Sequence, residues 1–334
     1  MPDISKTFNS IGVIVGRDLI GDALIKLPFL RALRCAYPKA EIHWITSQGP
    51  TAYAGPLRDA TRAFINIIHE CPPWVTGQGS VAPAKYPASP FDLLIDTRNR
   101  WRDALVASHI PHGLFLAPAA RFLFSEKRPP FFRARPKHMV DRLLQTVELA
   151  AGYIPPSTGA LPASPALEQL ARKILPEGHT YVGFVPGAGN RIKIWPRYKF
   201  EVVAALQAAK GRVPVFILGP QEALIYDTII AAVPAAKFPL QDKIWGGTEM
   251  TVDHTLAVAR YLNVAVANDS GAGHMLAAAD CPLISLFGPT SPEKLAPRVS
   301  RGRIIRAQDF GSAQMKAITW EAVDTAIDDM LRHF

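Results

Sequence analysis

Asn268-Asp269-Ser270-Gly271-Ala272-Gly273-His274 is the stretch that decides how this chain folds. Residues 262–267 before it form an apolar run that reads as a buried strand. After it, Met275-Leu276-Ala277-Ala278-Ala279 begins a small-residue helix, and Leu283–Phe287 reads as a further strand. A strand that ends in Asp-Ser-Gly and opens directly into a helix turns backbone N–H groups and a helix N-terminus toward solvent, an anion-binding arrangement. The same residues equally fit an ordinary strand–turn–helix link with Asp269 or Ser270 as N-cap. On either reading the unit is β-α-β, the building block of a parallel sheet.

The chain opens on the same pattern. Residues 11–15 form a short apolar strand and Gly16-Arg17-Asp18-Leu19-Ile20-Gly21-Asp22 a turn. Leu24, Leu27, Leu30 and Leu33 then give residues 23–37 a helical period, which Pro38 ends before a strand at Glu41–Thr46. Asp22 falls at the helix start, where the dipole and capping N–H groups favour a carboxylate. A further strand is expected at 63–68, and the Pro, Gly and Ser content of residues 71–90 marks a loop. Phe91–Asp96 is a buried strand that runs into Thr97-Arg98-Asn99-Arg100-Trp101-Arg102-Asp103. Guanidinium groups at a strand end match phosphate and carboxylate geometry, although a solvated basic face has the same composition. Farther on, Arg121, Lys127, Arg128, Arg133, Arg135 and Lys137 are mixed with Pro129-Pro130 and Phe124, Phe131 and Phe132. That segment suits either contact with a charged glycolipid at a membrane surface or a loop kept soluble by charge. A helix over Met139–Ala151 closes this half.

The Pro-rich residues 152–165 read as a linker, which places an N-terminal domain at 1–160 and a second at 161–318. The second half alternates again: a helix at 166–175, a strand at Tyr181–Val185, and the turn Pro186-Gly187-Ala188-Gly189-Asn190-Arg191-Ile192-Lys193-Ile194-Trp195-Pro196. A helix at 199–210, a strand at 213–218 ending in Gly219-Pro220-Gln221-Glu222, and helices at 223–233 and 252–260 follow. Residues 319–334 form a terminal amphipathic helix, expected to pack back on the N-terminal domain. Two doubly wound parallel sheets result, with functional turns at the C-terminal ends of the strands, facing a cleft between the halves.

Composition narrows the function. At 49% hydrophobic and 19% charged residues the chain is globular, and no apolar run reaches the ~18 residues of a membrane helix. The polar start at residues 1–9 has no signal-peptide core, so a cytoplasmic location is expected. Cys35, Cys71 and Cys281 form neither a CxxC pair nor an even disulfide set. The net charge is +9, and residues 1–165 hold 19 Lys and Arg against 12 Asp and Glu. An acidic partner follows; nucleic acid does not, because no nucleic-acid-reading module accompanies the charge.

Several chemistries are excluded by their missing motifs. Gly187-Ala188-Gly189 lacks the third glycine and distal acid of a dinucleotide fingerprint; P-loop, HExxH and GxSxG patterns and metal-spaced Cys/His clusters are missing too. What remains at strand ends is Asp22, Lys193, Glu222, Asp269, Ser270 and His274. These suit transfer of a group from a nucleotide diphosphate carrier to a hydroxyl of an acidic acceptor. A carboxylate takes the proton while Lys and backbone N–H groups stabilise the leaving diphosphate.

Four ordered motifs carry a resemblance. Arg17-Asp18-Leu19-Ile20-Gly21-Asp22 with Leu27-Pro28-Phe29-Leu30-Arg31-Ala32-Leu33 resembles the N-terminal signature of the lipopolysaccharide heptosyltransferases, glycosyltransferase family 9, which have the GT-B fold. Pro186-Gly187-Ala188 with Lys193-Ile194-Trp195-Pro196 is similar to their donor-phosphate segment. The Asn268–His274 stretch and Phe287-Gly288-Pro289-Thr290 are similar to their C-terminal signature. The resemblance runs from about residue 11 to 297. It implies Asp22 as general base and Lys193, with the backbone of Asp269, Ser270 and Gly271, as the diphosphate holder. It also implies His274 at the diphosphate, Ala188 and Gly189 in the donor turn, Glu222 at the ribose, Met250 at the adenine, and Arg98 and Arg102 facing the acidic acceptor. The implied reaction is inverting, metal-independent and cofactor-free transfer of heptose from ADP-heptose to the lipid A–inner core of lipopolysaccharide, with peripheral contact at the inner membrane. Gly189-Asn190-Arg191 and Thr97-Arg98-Asn99 depart from the family pattern. This leaves open a different sugar and glycan, or a noncatalytic nucleotide- or glycan-binding protein on the same scaffold.

Overall fold

The structure is a computed structural model that describes residues 7–76, 89–247 and 250–332. Most of the loop expected at 71–90, and the first residues of the polar start, lie outside the described residues. The chain divides into two compact units, Met1–Thr158 and Gly159–Phe334.

The first unit runs β1 (Ser10–Val15), α1 (Ile20–Leu24), α2 (Leu27–Ala36), β2 (Glu41–Thr46), α3 (Arg58–Thr61), β3 (Ile67–Glu70), α4 (Pro73–Thr76), β4 (Phe91–Asp96), α5 (Trp101–Ala107), β5 (His112–Leu116) and α6 (Met139–Ala151). Its five strands pair in parallel in the order β3-β2-β1-β4-β5. The strand sequence turns outward in opposite directions from the β1/β4 seam, so the crevice beyond their C-terminal ends is the sheet's switch point. The turns after β1 and β4 carry Asp22 and the arginines. One correction concerns the helix expected at 23–37, which is broken into α1 and α2. Pro28 sits in the first turn of α2, where its missing N–H costs nothing, whereas its ring would collide with the preceding carbonyl in a continuous helix. A second concerns the strand expected at 63–68, which is shifted to β3, with residues 62–64 in a turn. Strand β5 was not anticipated.

The second unit runs α7 (Pro165–Ile174), β6 (Tyr181–Val185), α8 (Arg197–Ala209), β7 (Val213–Phe216), α9 (Tyr226–Ala232), α10 (Val252–Ala259), β8 (Val264–Asn268), α11 (Gly271–Ala278), β9 (Leu283–Phe287), α12 (Pro292–Leu295), β10 (Gly302–Arg306) and α13 (Trp320–Arg332). Its sheet is also parallel, in the order β10-β9-β8-β6-β7, which puts the switch point at β6/β8. All five residues of β6, β8 and β9 are buried, as expected for parallel strands covered on both faces.

Helix α13 closes this unit. Val323, Ala326 and Ile327 are fully buried in the core formed with Val182, Phe200 and Val266. Burying the Val323 and Ile327 side chains contributes about 1.5–3 kcal/mol each. The expectation that this helix packs back on the N-terminal domain is therefore corrected: its apolar face belongs to the second unit's core. An amphipathic period identifies a buried face but not its destination.

Candidate active site

In the second unit the turns after three neighbouring strands converge. Asn268, the last residue of β8, is 2% exposed, and its amide satisfies two separate backbone groups. Its Oδ1 accepts from the Trp195 N–H at 3.1 Å and its Nδ2 donates to the Pro186 carbonyl at 2.8 Å. The β6 turn that holds Ala188 and Gly189 is thus fastened at both ends to β8. Trp195 is fully buried, and its indole N–H donates to the Ile318 carbonyl at 3.0 Å.

Inside that turn Asn190 caps a short 3-10 helix, Arg191–Lys193, by accepting from the Ile192 N–H. The helix delivers Lys193, whose Nζ lies 2.7 Å from Asp269 Oδ2. The lysine side chain is 26% exposed and the aspartate 6%, so the cation meets solvent while its partner is enclosed. Thr290, beyond β9, donates its hydroxyl to the same Oδ2 at 2.6 Å. Ser270 is the N-cap of α11 and accepts from the Gly273 N–H at 3.3 Å, so of the two cap candidates it is the serine that serves. The first N–H groups of α11 have no carbonyl partners within the helix, and with Lys193 they make a corner of donors from which an anion can accept. His274 lies one turn into α11 and is buried.

Glu222 reaches the same corner from the turn after β7. Its carboxylate accepts from the Gly219 N–H at 3.0 Å and lies flat against Gly187: a Cβ built there would come within 2.6 Å of Glu222 Cδ. The glycine is what leaves room for the carboxylate. Met250 is half-buried just ahead of Thr251, the N-cap of α10, and α10 packs on α11. Lys193, Glu222, Asp269, Ser270, Gly271 and the Ala188-Gly189 turn are therefore brought together, with Met250 on the approach to a neighbouring helix. Asn268 and Thr290 were quoted in the motifs without a role; the structure gives each one.

In the first unit Asp22 lies on α1 with an exposed side chain that has no hydrogen bond or ion pair among the described residues. Its backbone is held, however. Lys26 Nζ bridges the Asp22 carbonyl at 2.5 Å and Asp18 Oδ1 at 2.8 Å. Asp18, fully buried, also accepts from Trp44 Nε1 at 2.8 Å and Thr51 Oγ1 at 2.7 Å. A buried ion pair with three donors pins the turn and leaves the Asp22 carboxylate open to solvent. Asp18 and Lys26 lie outside the residues singled out from the sequence.

The two predicted acceptor arginines part company. Arg98 is folded inward, its Nε and Nη2 paired with Asp96 Oδ1 and Oδ2 at 2.8 and 2.9 Å. Burial pushes the Asp96 carboxyl above the ordinary range against the pull of those Arg98 hydrogen bonds. Arg102 is exposed, with its guanidinium 5.4 Å from the centroid of the Trp101 ring. The pairing had a sequence signal, Asp96 closing a buried strand two residues before Arg98.

The profile of glycosyltransferase family 9 (heptosyltransferase) matches residues 87–321. Lipooligosaccharide heptosyltransferase 2 of Haemophilus influenzae is 29% identical over 126 residues, which are 37% of this chain and 36% of that protein, so the chain spans about a third of that relative's length. Among solved structures, the fold is similar to a family 9 glycosyl transferase from Veillonella parvula, with a TM-score of 0.73, 18% identity and 99% of both chains covered. It is also similar to the Escherichia coli heptosyltransferase WaaC with ADP, with a TM-score of 0.68, 20% identity, and 96% of this chain and 99% of that one covered.

Proposed function

Because this chain belongs to glycosyltransferase family 9 and has the paired parallel sheets of the GT-B fold, we propose that it moves heptose from ADP-heptose to the inner core of lipopolysaccharide, with inversion. One observation carries the reading: Lys193 and Asp269 meet at the N-terminus of α11, beside Glu222 and Gly187, at the switch point of the second sheet. That corner offers a cation and helix N–H groups to a diphosphate, and a carboxylate to ribose hydroxyls. The adenine side falls to Met250, and His274 to the inner flank of the diphosphate. The WaaC structures solved with ADP and with ADP-2-deoxy-2-fluoro heptose support an ADP-linked donor.

Asp22 removes the proton from the acceptor hydroxyl as that oxygen attacks the anomeric carbon opposite the diphosphate. The carbon–oxygen bond to the β-phosphate breaks, ADP leaves with the electron pair, and the new glycosidic bond has inverted configuration. Lys193 and the α11 N–H groups balance the charge that gathers on the leaving diphosphate, without a metal ion. A lipid-linked acceptor brings the reaction to the cytoplasmic face of the inner membrane, which the protein visits peripherally.

A second reading, another sugar delivered to a different surface glycan, is favoured by Arg98, whose guanidinium is committed to Asp96. A thermal-shift comparison separates them. Stabilisation by ADP over UDP and GDP, with transfer abolished in Asp22→Asn while ADP binding persists, supports the first. Equal or preferred stabilisation by UDP or GDP removes the ADP-heptose donor, and unchanged turnover in Asp22→Asn removes the base.

A further inference from the structure

We propose that the connection between β5 and α6 in the first unit is a membrane-docking loop, which inserts Phe131 and Phe132 into an anionic phospholipid bilayer. The two rings are 99% and 91% exposed, among the most exposed large apolar residues described. They sit at the apex of a turn closed by the Arg133 N–H donating to the Pro130 carbonyl at 2.9 Å. Pro129-Pro130 lead into that turn and restrict it, so little freedom is lost when the rings are buried. The base of the loop is anchored. Phe122 is buried and Phe124 packs on the unit's core, while Ala120, Arg121 and Phe122 hold three consecutive left-handed conformations at φ 47, 56 and 64°. Such conformations persist only where the surroundings impose them.

Charge completes the surface. Residues 121–137 contain six Lys and Arg and a single acid, Glu126. Glu126, half exposed, accepts from the Phe115 N–H and meets the His112 ring, so its charge is the one acidic charge on this surface. Arg133 pairs with Glu148 at 2.8 Å. The other five cations have no carboxylate partner among the described residues: Arg128 and Lys127 donate to backbone carbonyls, which shape the loop without neutralising it. Two phenylalanines bury about 150–250 Å² each, well short of the ~800 Å² per partner of a stable protein interface. An apolar tip on a segment with five cations that lack a carboxylate partner is instead what an interface with anionic lipid takes up. The inference gives the peripheral contact proposed above a definite surface, but it rests on this loop alone and is tested without donor, acceptor or turnover.

The test is co-sedimentation of the full chain with phosphatidylethanolamine–phosphatidylglycerol vesicles and with phosphatidylcholine vesicles. The wild type binds the anionic vesicles, releases as salt is raised, and ignores the neutral ones. F131S/F132S, whose exposed positions leave the near-UV circular dichroism unchanged, partitions at least about tenfold more weakly. R135Q/K137Q weakens anionic binding by about 30-fold. In a third variant, F131W, emission shifts to the blue when anionic vesicles are added. Equal binding by F131S/F132S, or unmoved F131W emission, overturns the proposal. So does self-association in sedimentation velocity that F131S/F132S removes, since the tip would then belong to a second copy of the chain.

Discussion

Asn268→Ala tests whether the second unit's site is held by one side chain. The substitution removes the acceptor of the Trp195 N–H and the donor to the Pro186 carbonyl, both on buried residues. Each buried backbone group left without a partner costs about 1–3 kcal/mol, so the variant loses roughly 2–6 kcal/mol. Set against a usual domain stability of about 5–15 kcal/mol, that is a large share. At about 2–4 °C per kcal/mol for a unit of this size, the melting transition of residues 159–334 falls by roughly 4–24 °C. Scanning calorimetry is the suitable assay, because two units need not melt together. The β6 turn also loses its fastening, so ADP affinity by titration calorimetry falls about tenfold or more. Asn268→Asp adds a signature. It keeps the acceptor for Trp195 but sets a carboxylate against the Pro186 carbonyl, and protonation at low pH restores a donor and part of the stability. An Asn268→Ala transition within about 1 °C of the wild type would refute the clamp.

Lys193→Ala lowers ADP affinity by about 10- to 100-fold, the range for a hydrogen bond to a charged group. The protein's own stability falls by about 1–3 kcal/mol, since the enclosed Asp269 carboxylate is left with Thr290 in place of a cation; unchanged affinity removes its phosphate role. Gly187→Ala pushes Glu222 out of place and weakens ADP binding several-fold, but adds nothing in a Glu222→Ala background. Additive losses would show that the two residues act separately. Near α13, burial opposes ionisation of Asp328, but hydrogen bonds from Lys210, Arg212 and Gln207 outweigh it and bring the carboxyl down to about 2. A folded value below the unfolded one gives stability that is present above about pH 4 and lost as pH falls toward 2, worth about 2 kcal/mol. Urea titrations at neutral and acid pH should find this loss in the wild type and a flatter, lower profile in Asp328→Asn.

Central strands are legible in the sequence, whereas of the edge strands β7 is, β3 is displaced and β5 and β10 are not, for a physical reason. β1, β4, β6 and β9 are covered on both faces, so each is a near-continuous apolar run between turn residues. β3, β5 and β10 lie at sheet edges, where partial exposure admits His, Gly and Arg: His112-Gly113-Leu114-Phe115-Leu116 and Gly302-Arg303-Ile304-Ile305-Arg306 lack a clear period. The site divides in the same way. Lys193 and Asp269-Ser270 follow the inner strands β6 and β8 and Glu222 follows the edge strand β7, and all are visible as turn residues. The Asn268 clamp joins groups 73 and 82 positions away, which no local pattern reports. The Asp18–Lys26 pair spans only eight residues, but it matters because Trp44 and Thr51 complete it from other elements.

The attachment of α13 bears on how the protein is made. Trp195 in the donor-side turn and Lys199 on α8 both donate to the Ile318 carbonyl, and Asp324 and Asp328 on α13 hold Lys210 and Arg212. The first unit is complete once residue 158 has emerged, and can fold while translation continues. The second must wait for its last helix, some 10–35 s later at about 5–20 residues per second. Until then every strand of its sheet is present, but α8 and the residues that follow it lack the helix that packs on them. A chain released early at residue 318 would therefore keep its β6 turn clasped by Asn268 but lack the helix that braces Lys210 and Arg212.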